Sequence, residues 1–288
     1  MKTIRYLLLF TALAVHASAQ KDVLDHASMK CMYRATKLKD TLDVAFYEDL
    51  LILQIGPKVS KCFSYYTFQN DSLRQTPEGK RQASELFNRA LADFHKHRDR
   101  SRFLNSFPRN RTVTIVYKNH PAGAITVTDG LREDQVTYRD TLNAQQWTMT
   151  DSTREVLGYT CQQATADFRG RRWTAWFATD IPISDGPWKL GGLPGLILEA
   201  YDEGKQHVFT AVGLERVKDE PIIFNQPFRG NHRFEQTNRL DFLRMERRFL
   251  IDSNSFIQME TGIDLLGDEP NQVMQYDLLE RDYSMRKQ

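Results

Sequence analysis

Side chains able to attack a bond, relay a proton or hold a metal are sparse in this sequence. Beyond residue 19 the histidines are His26, His95, His97, His120, His207 and His232, and none belongs to an H-E-x-x-H pair. No Cys pair has metal-clip spacing, and no Asp-rich calcium loop occurs. His95 and His97 are two apart on a segment that reads as helix, so they point to different faces. A nucleophilic serine would need a Gly-x-Ser-x-Gly elbow, which is absent. Cys161, set between Tyr159 and Ala164, reads as a packed strand thiol. The acid pairs Glu199 with Asp202 and Asp180 with Asp185 are of the type used on glycosides, and their plainer reading is surface carboxylates. No catalytic residue, metal or cofactor is assigned.

Aromatic surface is what the sequence does offer. All four tryptophans, Trp147, Trp173, Trp176 and Trp188, fall in one stretch with Tyr159, Phe168, Phe177 and Tyr201. Two readings compete. The rings fill a β-sheet core, or some form an exposed platform that stacks on a sugar or clasps an extended peptide. On the second reading Trp173, Trp176, Trp188 and the turn Leu193-Pro194-Gly195 are the binding residues. Pro194 suits the first central position of a type II turn and Gly195 the positive φ of the second. Ile181-Pro182 and Gly186-Pro187-Trp188 force extended backbone on the approach.

The elements that must position these residues are mostly strands. Runs rich in Val, Ile, Thr, Tyr and Phe between turn signals mark residues 30–37, 41–48, 50–55, 61–68, 112–117, 124–128, 158–168, 172–178, 196–201 and 206–215. The fold class is therefore mainly β, an antiparallel sheet or sandwich or a partly open barrel, with one inserted α-helix at about 77–107. There Leu86, Phe87, Ala90, Leu91 and Phe94 form one stripe behind Thr76 as N-cap and Pro77 at the first helical position. A weaker helical pattern covers about 236–249. Residues 20–267 read as one β-rich domain and 268–288 as a polar tail crossing the surface. A basic cluster, Arg89, Lys96, Arg98, Arg100, Arg102, Arg109 and Arg111, follows the helix stripe. Such a cluster touches lipid head groups, phosphate sugars or an acidic protein, or is a solvated face.

With 41% hydrophobic and 26% charged residues, 15 Gly, 10 Pro and 3 Cys in 288, disorder, collagen and a Cys-dense scaffold are excluded. Residues 1–19 have signal-peptide form: Lys2 and Arg5, an apolar run from Leu7 to Val15, then Ala17-Ser18-Ala19 before Gln20, with cleavage expected between Ala19 and Gln20. That run is too short for a membrane helix of ~20 residues, and no later stretch is long and apolar enough. Cleavage would leave 37 Lys and Arg against 37 Asp and Glu. A neutral chain gives no electrostatic reason to expect nucleic acid. In an oxidising compartment a Cys31–Cys62 bridge would close a loop of about 30 residues and add ~3 kcal/mol, leaving Cys161 free. Sequence alone leaves that connectivity open.

Gly192-Leu193-Pro194-Gly195-Leu196-Ile197, preceded by Gly158-Tyr159-x-Cys161, Gly170-Arg171, Thr174-Ala175-Trp176-Phe177, Ile181-Pro182 and Gly186-Pro187-Trp188, resembles the GLPGLI family of Bacteroidota envelope proteins. Tyr47-Glu48-Asp49, Leu53-Gln54-Ile55-Gly56 and Ser60-Lys61 are similar to that family as well. The resemblance implies an exported β-rich protein of the periplasm or outer membrane, with no settled activity and no catalytic set to carry over. Members are similar in part to a non-catalytic N-terminal module of bacterial peptide N-glycosidases. In that phylum Asp-Ser/Thr-apolar triplets accept O-glycans, and Asp40-Thr41-Leu42, Asp71-Ser72-Leu73 and Asp140-Thr141-Leu142 fit. The expectation is a non-enzymatic envelope protein that binds a peptide, a glycan or an outer-membrane or periplasmic partner. The alternatives are an exported hydrolase or metal-dependent enzyme and a periplasmic carrier of an apolar ligand.

Overall fold

The computed structural model describes residues 22–38, 46–99, 111–131, 134–226, 233–252 and 278–283, with isolated positions between these stretches. The Ala19–Gln20 junction and Asp40-Thr41-Leu42 lie outside the described residues. The fold is mainly β: one open sheet of 12 strands in the order β12-β6-β5-β4-β3-β2-β1-β11-β10-β9-β8-β7. The strands are β1 Val23–Leu38, β2 Phe46–Ile55, β3 Ser60–Ser64, β4 Ile115–Lys118, β5 Ala124–Leu131, β6 Asp134–Thr141, β7 Thr148–Val156, β8 Tyr159–Phe168, β9 Arg171–Ala178, β10 Leu196–Asp202, β11 His207–Ile223 and β12 Glu235–Gln236. Neighbours run antiparallel except β12, which lies parallel to β6. Residues 46–48 of the predicted strand 41–48 join the predicted strand 50–55 in β2, because the apolar pattern continues through Leu50-Leu51-Ile52-Leu53; residues 41–45 lie outside the described residues.

Three helices are described, against the expected insertion at about 77–107 and the weaker pattern at about 236–249. At Ser64 the chain leaves β3 and enters α1, Tyr65–Arg74. Ser64 Oγ accepts from Thr67 N–H at 3.2 Å and donates to Asp49 Oδ1 at 2.9 Å, so one hydroxyl both caps the helix and fastens it to β2. The strand expected to reach Phe68 therefore stops four residues earlier. Helix α2, Pro77–His97, starts as its sequence says, with Thr76 Oγ1 accepting from Gly79 N–H at 3.0 Å and Pro77 in the first turn. Helix α3, Arg239–Ile251, is capped by Asn238.

One cross-strand row, Cys31, Leu53, Cys62, Val116, Val127 and Tyr138, passes through β1, β2, β3, β4, β5 and β6 on the inner face. This row corrects the proposed disulfide. Leu53 stands between Cys31 and Cys62, which puts their backbones two strand spacings, ~10 Å, apart. That exceeds the ~7 Å a disulfide spans, and all three cysteines are free and buried. The sheet is open but strongly coiled: Asp140 on β6 forms an ion pair with Arg169 in the β8–β9 turn, although eight strands separate β6 from β8 in the sheet. The loop between β9 and β10, residues 179–195, folds into the coil, which buries residues 185–191.

Candidate functional site

Alternation along β9 separates the candidate tryptophans onto two faces. Trp173, Ala175 and Phe177 point into the coil, and Thr174 and Trp176 point away from it. Inside, Trp173 is 0% and Trp188 6% exposed. Their ring centroids are 5.8 Å apart, and Trp173 stacks on Phe209 at 6.0 Å. The Trp173 indole N–H donates to Phe168 O at 3.3 Å. The β9–β10 loop folds back over this face and adds Ile181, Leu190 and Leu193 to the core. This overturns the platform reading for Trp173, Trp188 and Leu193, whose apolar surface is spent on closing the coil. It also fills the face on which an apolar ligand would be carried. Pro194 alone of the turn remains exposed.

Gly195 is needed for a different reason from the one expected. Its φ is not positive, whereas Gly192 has φ 84° and Trp188 φ 51°. A Cβ on Gly195 would lie 2.2 Å from Ala178 O, so the loop passes over the end of β9 with room for no side chain. From beneath, Lys118 Nζ donates to Asp185 Oδ1, Gly186 O and Leu190 O, each at 2.6 Å. Tyr33 OH donates to Ile197 O at 2.7 Å, and Trp188 N–H to Cys62 Sγ at 3.4 Å. Lys118 and Tyr33 are missed by motif reading, because their acceptors lie 67 or more residues away.

The acid pairs do not form. Glu199 pairs with Arg154 on the outer side, while Asp202 pairs with Arg171 at 2.6 Å on the inner side. Asp180 is exposed and Asp185 is taken by Lys118. Cys161 is fully buried with no histidine contact, and burial pushes its thiol up to about 11. Among the described residues no cluster of three or more His, Cys, Asp or Glu could hold a metal.

The described part of the tail, residues 278–283, is an extended strap. Arg171 donates to Leu278 O at 2.6 Å and Leu279 O at 2.8 Å, and Arg281 N–H donates to Arg169 O at 2.9 Å. Gly170, at φ 73°, lets the strap backbone pass where a Cβ would meet Asp282 N at 2.9 Å. Beside a cleft of about 320 Å³ lined by Asp167 to Arg172, three cations and three carboxylates interlock. Lys189 Nζ, fully buried, contacts Asp140 at 2.7 Å and Glu280 at 2.5 Å. Arg239 contacts Glu280 at 2.7 Å and Asp282 at 2.6 Å, and Arg169 pairs with Asp140 and Asp282. Asp140 is thus the ion-pair partner of two cations, in the third of the Asp-Thr-apolar triplets. Next to this network burial pushes Asp129 up to about 6 and Glu246 up to about 8, with the Asp129 charge adding to the rise at Glu246.

Trp176 is the one candidate on the outer face. The Arg154 guanidinium of edge strand β7 lies 4.2 Å from its ring centroid and ion-pairs with Glu199. Under that roof the ring is 7% exposed, and its indole Nε1, like Arg154 Nε, is buried with no hydrogen-bond partner among the described residues. Cross-strand register sets Gln163 and Glu199 beside Trp176, and Thr174 and Tyr201 in the next row. Lys205 Nζ sits 5.3 Å from the Tyr201 ring. The patch combines two aromatic faces with an amide, a carboxylate, a guanidinium and hydroxyls, the groups that meet the C–H and O–H surfaces of a sugar.

Residues 100–241 match the family model described as N-glycanase peptide, N-terminal domain, which takes in the strands from β4 to β12 and this patch. Two solved structures of PNGF-II are similar to the chain at 14% identity. One, in a C2 crystal, has TM-score 0.46 over 75% of this chain and 32% of that one, and the other, in a P21 crystal, 0.47 over 76% and 33%. The chain spans about a third of the length of the PNGF-II chains it matches. No curated protein sequence matches it.

Proposed function

We propose that this protein is a non-catalytic, exported envelope protein that binds a glycan or glycopeptide on the outer face of β7 to β10, centred on Trp176. The observation that carries the reading is the roofed indole: a Trp whose N–H has no partner among the described residues, with the Arg154 guanidinium of the edge strand over its ring, among Gln163, Glu199 and Tyr201. Swinging Arg154 aside would bare a stacking face and free a donor together. The match to the N-terminal domain of an N-glycanase supports a glycan as ligand, and the GLPGLI resemblance supports the envelope as its place. The buried Cys161 and the separated acid pairs give hydrolysis no support.

The test is a titration of the full chain with N-glycopeptides and free oligosaccharides, followed by tryptophan fluorescence and calorimetry. Saturable binding is expected, weakened at least tenfold in Trp176→Phe, which keeps a ring but lacks the N–H. Arg154→Ala should alter the affinity without moving the core. Binding that is absent, or indifferent to both substitutions, refutes the proposal.

A further inference from the structure

Helix α1 is amphipathic in the wrong sense for a helix lying on a sheet. At 100° per residue, Phe68, Tyr65, Leu73 and Tyr66 share one side, and Thr67, Asn70, Asp71 and Arg74 the other. The first side is the exposed one: Tyr65 is 37%, Tyr66 41%, Phe68 43% and Leu73 63% exposed. The polar side is the partly covered one, and no residue of the helix is buried. Phe68 meets the Phe63 ring at 5.3 Å and Tyr66 meets Tyr65 at 5.6 Å, yet a large part of all four side chains stays in solvent, open to cover from outside the monomer.

Charge says what kind of cover. Residues 65–111 hold ten Lys or Arg and five Asp or Glu, a formal charge of +5, while the remainder beyond residue 19 holds 27 against 32. The excess lies on 98–111, with five Arg against one Asp, while α1 and α2 themselves hold five Lys or Arg against four Asp or Glu. Cations also adjoin the exposed rings: the Arg111 guanidinium lies 5.1 Å from the Tyr66 ring and 5.1 Å from Tyr47, over which Lys37 stands at 5.1 Å. Exposed Tyr, Phe and Leu bordered by Arg and Lys on a surface helix are the composition of a segment that lies in the head-group layer of a bilayer. An acidic soluble protein would use the cations and leave Leu73 and the rings in water.

We infer that α1, with Arg111 and Lys37 beside it, docks on a membrane surface bearing anionic phosphate head groups. Tyr65, Tyr66, Phe68 and Leu73 would enter the interface, with Lys37, Arg111 and the exposed Arg89 and Lys96 of α2 at the phosphates. No helix of the described residues is long and apolar enough to cross a bilayer, so this contact is peripheral.

Vesicle co-sedimentation of the full chain tests this, with phosphatidylcholine vesicles compared to a 3:1 mixture of phosphatidylcholine and phosphatidylglycerol. Wild type and variants carry the same first 19 residues, so differences between them report on the hairpin. Tyr65→Ser/Tyr66→Ser/Leu73→Ser should bind the mixed vesicles at least tenfold more weakly with its melting temperature and glycan response retained. Arg89→Glu/Lys96→Glu, at exposed positions of α2, should bind them at least threefold more weakly, and 0.5 M NaCl should release the wild type. Partition within twofold of wild type for both variants overturns the inference. So does a wild-type dimer that the serine variant converts to monomer while vesicle binding stays unchanged, since a second copy would then be the cover.

Discussion

Replacing Lys118 by Met tests how the β9–β10 loop is held. The Lys118 side chain is 5% exposed and its ammonium meets three acceptors at 2.6 Å, Asp185 among them at 10% side-chain exposure. Met fills nearly the same volume, so the change isolates the charge and its hydrogen bonds. It leaves the Asp185 carboxylate with Gly186 N–H as its remaining donor and strips the same partner from the carbonyls of Gly186 and Leu190. Removing one member of a buried ion pair costs about 3–5 kcal/mol, because the other charge stays desolvated. At about 2 °C per kcal/mol, the low end of the range for large domains, melting should fall by about 6–10 °C. Near-ultraviolet circular dichroism should lose part of its tryptophan signal as Trp188 loosens. Adding Asp185→Leu should recover part of the loss, since only the two carbonyls then remain unpaired. A Lys118→Met cost below about 1 kcal/mol by urea denaturation would mean that the three contacts are incidental and that packing of Trp188, Leu190 and Leu193 alone holds the loop.

Gly195→Ala should cost about 1–3 kcal/mol by overpacking against Ala178 O, and more than Gly158→Ala, where φ is 77° but a Cβ meets nothing within 4 Å; equal costs would refute the close-approach account. Burial pushes Glu246 up to about 8 from an ordinary 4.5, so the folded state holds that proton more tightly than the unfolded chain across this window. Stability should therefore fall as pH rises from about 5 to about 8, by up to ~1.4 kcal/mol per pH unit per proton. Glu246→Gln should flatten that slope, matching wild type near pH 5 and exceeding it at pH 8.5; parallel curves for the two proteins would refute the assignment.

Local signals carried the reading of this chain as far as they reach. Thr76-Pro77 and the stripe from Leu86 to Phe94 fix the start of α2, since cap, first-turn proline and apolar spacing act within one helix, but the helix ends at His97, short of the expected 107, where Arg98 takes a left-handed conformation. Short runs of Val, Ile and aromatic residues likewise locate β8, β9 and β10. Strand β7 was illegible because, as the sheet's edge, Thr148 to Val156 has no buried residue and needs no apolar alternation. Helix α1 was read as strand because Tyr65-Tyr66-Thr67-Phe68 favours strands, and its polar side faces the protein. The tryptophan stretch gathers rings in sequence, but adjacent ring types do not say which face of a sheet they take. Only the alternation of β9 sends Trp173 inward and Trp176 outward. Partners such as Lys118 and Asp185, or Lys189 and Glu280, are set by the coiling of the sheet, which no local pattern encodes.

That coiling also bears on where binding can occur. A closed barrel would fix its curvature through strand hydrogen bonds, but here β7 and β12 are free ends of the ladder. The approach of the two halves is held instead by charges reaching across the gap: Lys118 of β4 into the loop, and Arg169 and Lys189 onto Asp140 of β6. The strap adds Glu280 and Asp282, which tie Arg169 and Lys189 to Arg239 of α3. Opening the coil to admit a ligand would separate these buried ions from their partners all at once, at a cost far above what one ligand repays. The buried ion pairs thus favour a structural interior, and the binding proposed above uses two outer features, the indole under Arg154 and the aromatic side of α1.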